Sequence, residues 1–270
     1  MKSHHRAGLL ISLLLILLNA NNVLSQANEE AAKSNKETTQ INEETTRSLV
    51  IIDELLIQNE TRQAWEVLEK IPECDLPPDD RLWLMARVQY EMGRGADKDA
   101  LAFFQEAEKY ARGSIKENAD NAEGYKWLAV TLGAQAKFSD TKDQVRISRR
   151  VKVNIEKAIA LNPNDDISYL ILSRWHYKNS ALGGVARAFA KFIYGELPKA
   201  SLKESEKLLL HAITLHDRIA HRYNLAKVYE RMERRDDAKI QLEQALLLPV
   251  TFPEETKEKR RAEKRLKEWQ

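Results

Sequence analysis

YKWLAVTLGAQAKFSDTKDQVRISRRVKVNIEKAIALNP, running from Tyr125 to Pro163, is the stretch that decides the fold. It holds two amphipathic helical patterns. Tyr125, Leu128 and Leu132 recur at helical spacing on the first, and Ile147, Val151, Ile155, Ala158 and Ile159 form the stripe of the second. The second pattern closes on Ala158-Ile159-Ala160-Leu161-Asn162-Pro163, and the proline ends the unit. Small side chains stand where two helices must approach closely, with large apolar ones around them. This is the pattern of a helix-turn-helix repeat of the tetratricopeptide type. Such a unit cannot bury its apolar face alone, so it requires neighbours in the chain.

The neighbours are present. Upstream, Leu49, Ile52, Leu55 and Leu56 form one face, Asn59-Glu60 makes a turn, and Ala64, Leu68 and Ile71 form a second face that Pro72 stops. Leu82 to Met92 predicts a helix ending at Gly93. Ala100, Phe104 and Ala107 follow at i, i+4 and i+7, on a helix running towards Ile115. Downstream, Ile167, Leu170, Leu172, Trp175 and His176 open a fourth unit. After an insertion from Gly183 to Pro198, Ser205, Leu209 and Ala212 complete it. The fifth unit reads Leu225, Ala226 and Tyr229, then Ala238, Leu242 and Ala245, closing at Pro249. The third unit is about ten residues longer than a standard repeat, which predicts an extended first helix or an ordered loop around Phe138 to Gln144. The expected fold is all-α: a tetratricopeptide-like helical-repeat superhelix over residues 48–253, about five helix pairs long. A charged capping helix over residues 254–270 completes it.

The chain starts differently. Lys2, His4, His5 and Arg6 precede the apolar run Leu9 to Leu18, and small residues follow before Ser25. A basic end, a short apolar core and a small-residue cleavage site describe a secretory signal peptide over residues 1–25. The run is about half of the roughly 20 residues a membrane span needs, so an anchor with cytosolic repeats is the second reading. Residues 26–47 are polar, without apolar period, and read as a flexible linker or frayed helix leading to the fold. Without Lys2 and Arg6 the 43 basic residues become 41, equal to the 41 acidic ones, which argues against a nucleic-acid partner. Cys74 is the single cysteine, so no intrachain disulfide can form; it reads as a small apolar filler at a helix end. Asn59-Glu60-Thr61 matches the N-glycosylation acceptor pattern, which has meaning only in a eukaryotic secretory pathway.

Several runs carry a more specific likeness: KWLAVTLG at Lys126–Gly133, KVNIEKAIALNPND at Lys152–Asp165, SRWHY at Ser173–Tyr177, AKFIYGELP at Ala190–Pro198, and LAKVYERM with ALLLPV ending at Val250. In order and spacing, both insertions included, they resemble the regulator-of-microtubule-dynamics family of tetratricopeptide-like proteins, over roughly Leu82 to Lys267. The resemblance implies a helical-repeat protein associated with microtubules and, in some members, with organelle membranes. An export signal would remove the chain from tubulin, so the expectation is an exported or bacterial relative that shares the scaffold.

Catalytic constellations are missing from the sequence. It contains no P-loop, no His-Glu-x-x-His and no Gly-x-Ser-x-Gly. His211 and His216 are five apart, off the spacing that aligns two metal ligands on a helix. Trp127, Trp175 and Tyr177 read as packing residues between helices. No cofactor and no metal is expected. The sequence therefore predicts a non-enzymatic interaction scaffold that binds a protein or peptide partner in its concave groove. Lys126, Arg174, His176 and Asn224 stand at inward positions of the first helices as candidate contacts. Two basic patches offer an alternative, a microtubule- or membrane-associated protein: Arg146, Arg149 and Arg150 in the third unit, and Lys259, Arg260, Arg261, Lys264 and Arg265 in the last helix. There, Lys257 to Glu268 holds seven basic against three acidic residues, suited to tubulin tails or an anionic membrane if cytosolic. The opposing reading is a solvated helix face with i, i+4 ion pairs.

Overall fold

The computed structural model describes residues 43–180, 199–251 and 253–269. The signal-peptide reading, the linker reading up to residue 42 and the Gly183–Pro198 insertion lie outside them, whereas residues 43–47, the end of the expected flexible linker, are helical. Residues 43–48 fall in one compact unit and the chain from Leu49 in a second, which carries the repeats. Among the described residues there is no strand, and no helix is long and apolar enough to cross a membrane.

Residues 43–57 form α1, followed by α2 (Thr61–Lys70), α3 (Pro78–Gly95), α4 (Ala100–Glu117), α5 (Ala122–Gln135), α6 (Thr141–Leu161) and α7 (Asp166–Asn179). Then come α8 (Leu202–Leu215), α9 (Ile219–Arg231), α10 (Arg235–Leu247) and α11 (Glu255–Glu268). From α3 onward they pack as pairs, α3 with α4, α5 with α6, α7 with α8 and α9 with α10. Successive pairs meet through α4 with α5, α6 with α7 and α8 with α9. That stacking makes the helical-repeat superhelix. Its core runs lengthwise as three consecutive apolar clusters, the first around Ile52, Leu68 and Val88, the second around Trp127, Ile155 and Trp175, and the third around Leu209, Leu225 and Leu242. Ala107, Ala158, Ala212 and Ala245 are buried at the crossings, where any larger side chain would hold the helices apart.

Local chemistry sets the ends. Asn121, Asp140, Asp165 and Ser201 cap α5, α6, α7 and α8, each side chain accepting from the backbone N–H three residues on. Asn59 turns the chain between α1 and α2 with φ 66°, a left-handed conformation that asparagine tolerates.

Three sequence expectations are corrected. The extra length of the third unit goes into its second helix: α5 ends at Gln135, a short 3-10 turn spans Ala136–Phe138, and α6 runs for 21 residues from its Asp140 cap. Nothing between Thr141 and Leu161 breaks the apolar period of Ile147, Val151 and Ile155, so the helix simply continues. Gly93 does not end its helix. It lies within α3, and a Cβ there would stand 2.7 Å from the Phe104 ring, so its missing side chain lets α4 approach. Cys74 is exposed in the Glu73–Asp75 turn and fills no core.

Candidate functional site

The first helices of the repeats turn one row of side chains inward, and on α7 and α9 this row brings Arg174 and Asn224 together. Arg174 Nε donates to Asn224 Oδ1 at 3.3 Å. Neither is free, because α11 reaches back to them. Arg174 donates to Glu254 and to Glu258, each at 2.8 Å, and Asn224 Nδ2 donates to Glu258 Oε1 at 3.2 Å. Glu254 also stands 3.6 Å from Arg94 of α3, which in turn pairs with the buried Glu91 at 2.6 Å. The result is a polar chain from the second unit to the last helix. Burial pushes the Glu258 carboxyl up to about 7, against the pull of Arg174. Burial acts on Glu254 too, but Arg174 and Arg94 outweigh it and hold that carboxyl below its ordinary value. Burial raises Glu91, with Arg94 opposing.

The last helix is thus solvated on one side only. Glu255, Glu258 and Ala262 are buried, whereas Arg260, Arg261 and Lys264 face solvent. Glu255 has a structural role: its carboxylate accepts from the Ala220 and Thr251 backbone N–H groups.

Residues of α7, α9, α10 and α11 line a cleft of about 320 Å³. Tyr177 and Tyr223 wall it, with Arg261, Lys264 and Arg265 at the rim beside Glu230 and Glu268. Lys227 enters between the tyrosines, its ammonium 4.9 Å from the Tyr177 ring centre and 5.8 Å from that of Tyr223. Its polar contact is Asn224 Oδ1 at 3.5 Å, and among the described residues no carboxylate pairs with it. Burial, with Arg174 and Arg261 adding to it, lowers the Lys227 pKa. A half-buried, desolvated cation between two aromatic faces, with no carboxylate paired to it among the described residues, is a place where an anionic group is favoured. Arg265 is occupied by Glu230 and Lys264 stands 3.9 Å from Glu268, leaving Lys227 and Arg261 to present positive charge.

The other candidates are placed elsewhere. Lys126 is buried in an ion pair with Glu123 and, at 3.1 Å, with Asp165. His176 is buried edge-on to Trp175, and its Nδ1 accepts from the Ser201 backbone N–H at 3.4 Å. Arg150 ties α6 to α4 through Glu108 at 2.9 Å, Arg146 pairs with Asp143, Lys152 pairs with Glu156, and Arg149 also has a partner. The α6 patch is therefore largely neutralised. Lys259 donates to the Leu248 carbonyl. Trp127 and Trp175 are core, the latter donating to the Ser148 carbonyl. His211 packs against Tyr169, and no cluster of metal-ligating side chains occurs among the described residues.

Sequence reasoning missed the cleft and a second buried group, Asp166 with His221 at 2.7 Å and Arg218 at 2.5 Å. Only one signal for the inward network was available: Glu254 and Glu258 lie one turn apart, on one face of a basic helix.

A family model described as Regulator of microtubule dynamics protein 1-3 matches residues 49–270. The chain is 31% identical over 153 residues to Regulator of microtubule dynamics protein 3 of Xenopus laevis, covering 55% of this chain and 33% of that protein. It is 25% identical over 156 residues to Regulator of microtubule dynamics protein 1 of Bos taurus, covering 57% of this chain and 49% of that one. With the Caenorhabditis elegans protein 1 the identity is 24% over 205 residues, 75% of this chain and 91% of that protein. The matched stretch thus spans half or less of these two vertebrate relatives. Among solved structures, a thermophilic TPR protein of Thermus thermophilus superposes with a TM-score of 0.59 at 17% identity, over 82% of this chain and 98% of that one. This last likeness concerns the fold alone.

Proposed function

This chain belongs to the regulator of microtubule dynamics protein 1-3 family, and on that premise we propose that it is a non-enzymatic interaction protein that captures an acidic segment of a protein partner in the cleft between α7, α9 and α11. One observation carries the reading: the Lys227 ammonium is held between Tyr177 and Tyr223 without a carboxylate of its own among the described residues. The basic last helix, one of the two candidates in the sequence, lines this cleft, where Arg261 adds to the positive field of Lys227. Arg174 and Asn224 then act from behind, by fixing α11 and hence the shape of the cleft. The relatives are named as regulators of microtubule dynamics, which makes tubulin the partner to test first.

The test is fluorescence anisotropy with a labelled hexaglutamate peptide, followed by co-sedimentation with assembled tubulin. Lys227→Ala and an Arg261→Glu/Lys264→Glu pair weaken both if the reading is right. Undiminished binding by both variants removes the cleft from the account. The exposed Arg260 and Lys264 favour a second reading, an anionic membrane surface. Flotation with vesicles containing an acidic phospholipid, insensitive to Lys227→Ala, would select it. The export reading of residues 1–25 keeps its own test, N-terminal sequencing of protein from its native host; an intact Met1 overturns it.

A further inference from the structure

Lys227 belongs to two neighbourhoods at once. On one side it faces the cleft. On the other it contacts Asn224 Oδ1, and Asn224 Nδ2 is bonded to Glu258 Oε1, so one amide joins the cleft to the buried polar chain behind it. That chain is short of positive charge. Glu91, Glu254 and Glu258 contribute three carboxylates, against the guanidiniums of Arg94 and Arg174. Glu258 is the member least able to stay ionised. Its Oε1 takes both hydrogen bonds, while its Oε2 is buried without a partner among the described residues.

The groups around Glu258 come from every element packed there. Helix α7 supplies Arg174, and α9 supplies Tyr223, Asn224 and Lys227. Helix α3 supplies Tyr90, Glu91 and Arg94 by way of Glu254, and α11 itself contributes Glu254, Glu255 and Arg261. Among the cationic neighbours, Lys227 and Arg261 both line the cleft, and Lys227 is the one linked through Asn224 to Glu258. We infer that capture of an anionic segment in the cleft is coupled to uptake of a proton by Glu258, so that partner binding is gated by pH. The inference rests on the cleft being the binding site, as proposed above. The physical reason is electrostatic: a carboxylate placed on Lys227 cancels the field that helps Glu258 stay charged and adds a like charge nearby. The buried carboxyl already titrates near neutrality, at about 7, so the response falls in an accessible range. The sign follows. Binding raises the Glu258 pKa, so the protonated form binds more tightly and affinity falls as pH rises through neutrality.

The experiment uses the whole chain and the labelled hexaglutamate peptide at constant ionic strength. Affinity is measured from pH 6 to pH 8, and proton uptake by calorimetry at pH 7 in buffers of different ionisation enthalpy. The expected result is a weakening of about fivefold from pH 6 to pH 8 where bound peptide raises the Glu258 pKa by one unit from about 7, approaching about tenfold for larger rises. A fraction of a proton is taken up per peptide bound. No histidine lines the cleft among the described residues, and it is removal of the slope by Glu258→Gln that assigns it to this carboxyl rather than to Lys227. Glu258→Gln, whose amide imitates the protonated acid, should bind at the low-pH strength throughout and take up no proton. A flat profile for the wild-type chain overturns the coupling and leaves the cleft intact. So does a slope that Glu258→Gln retains. Binding that is absent at every pH overturns the cleft itself, and the coupling with it.

Discussion

Arg174 on α7 and Glu258 on α11 stand 2.8 Å apart although 84 residues separate them in the chain. The contact joins a predominantly basic terminal helix to the repeats through carboxylates that it sends inward. It also places the neighbouring Glu254 within 3.6 Å of Arg94, so a residue of the second unit and one of the last helix share a network.

Removing Arg174 strands two carboxylates in a largely buried setting. Arg174→Ala should cost about 3 kcal/mol in chemical denaturation, even though the guanidinium itself is one-third exposed. The double variant Arg174→Ala/Glu258→Ala should be less destabilised than the two single losses added together, because each single variant leaves a charge without its partner. Strict additivity would show that the pair is not energetically coupled.

Glu258 and Asp166 shape the pH dependence of stability in opposite senses. The Glu258 carboxyl rises from 4.5 to about 7 on folding, so its contribution is fully present below pH 4.5 and is lost as pH rises through 7. Glu258→Gln should abolish this loss, worth about 2 kcal/mol between pH 5 and 8 in urea titrations. If the two chains keep parallel profiles, Glu258 does not titrate in this range.

For Asp166, burial opposes ionisation, but hydrogen bonds from His221 and Arg218 prevail and carry the carboxyl from 3.8 down to about 2. Its contribution is present above pH 3.8 and is lost as pH falls through 2. Asp166→Asn should therefore flatten the acid limb of the unfolding curve, followed by circular dichroism from pH 5 to pH 1.5. An unchanged limb would place acid sensitivity in other carboxylates.

Gly93→Ala introduces a methyl 2.7 Å from the Phe104 ring, in a crossing where Phe104 is itself buried. Overpacking of this kind should lower stability by about 1–3 kcal/mol. Shortening the ring by Phe104→Leu in the same chain should recover part of the loss. A Gly93→Ala chain as stable as the parent would mean that α3 and α4 separate at little cost.

Cys74 is exposed, and its hydrogen bond to Asp75, together with that residue's charge, raises the thiol pKa. Alkylation by iodoacetamide at pH 8 should therefore run slower than for a free peptide thiol and faster in Asp75→Asn. Equal rates in the two chains would refute the role given to Asp75.

The rods and their succession follow from local sequence alone. Leu128, Ile155, Leu209 and Leu242 fall at helical spacing, and Ala107, Ala158, Ala212 and Ala245 mark the crossings, because periodicity and side-chain size act within a few residues of chain. Capping is equally local, as at Asp140 and Asp165. The use of the polar groups was decided only in the tertiary structure. Arg174, Asn224 and Lys126 look alike in the sequence as inward polar residues of first helices, yet all three are engaged within the fold, while Lys227 keeps its charge at the cleft. A charge is free or spent according to which distant residue the superhelix carries to within about 3 Å of it. That distance depends on the accumulated rotation from one helix pair to the next, which no short stretch encodes.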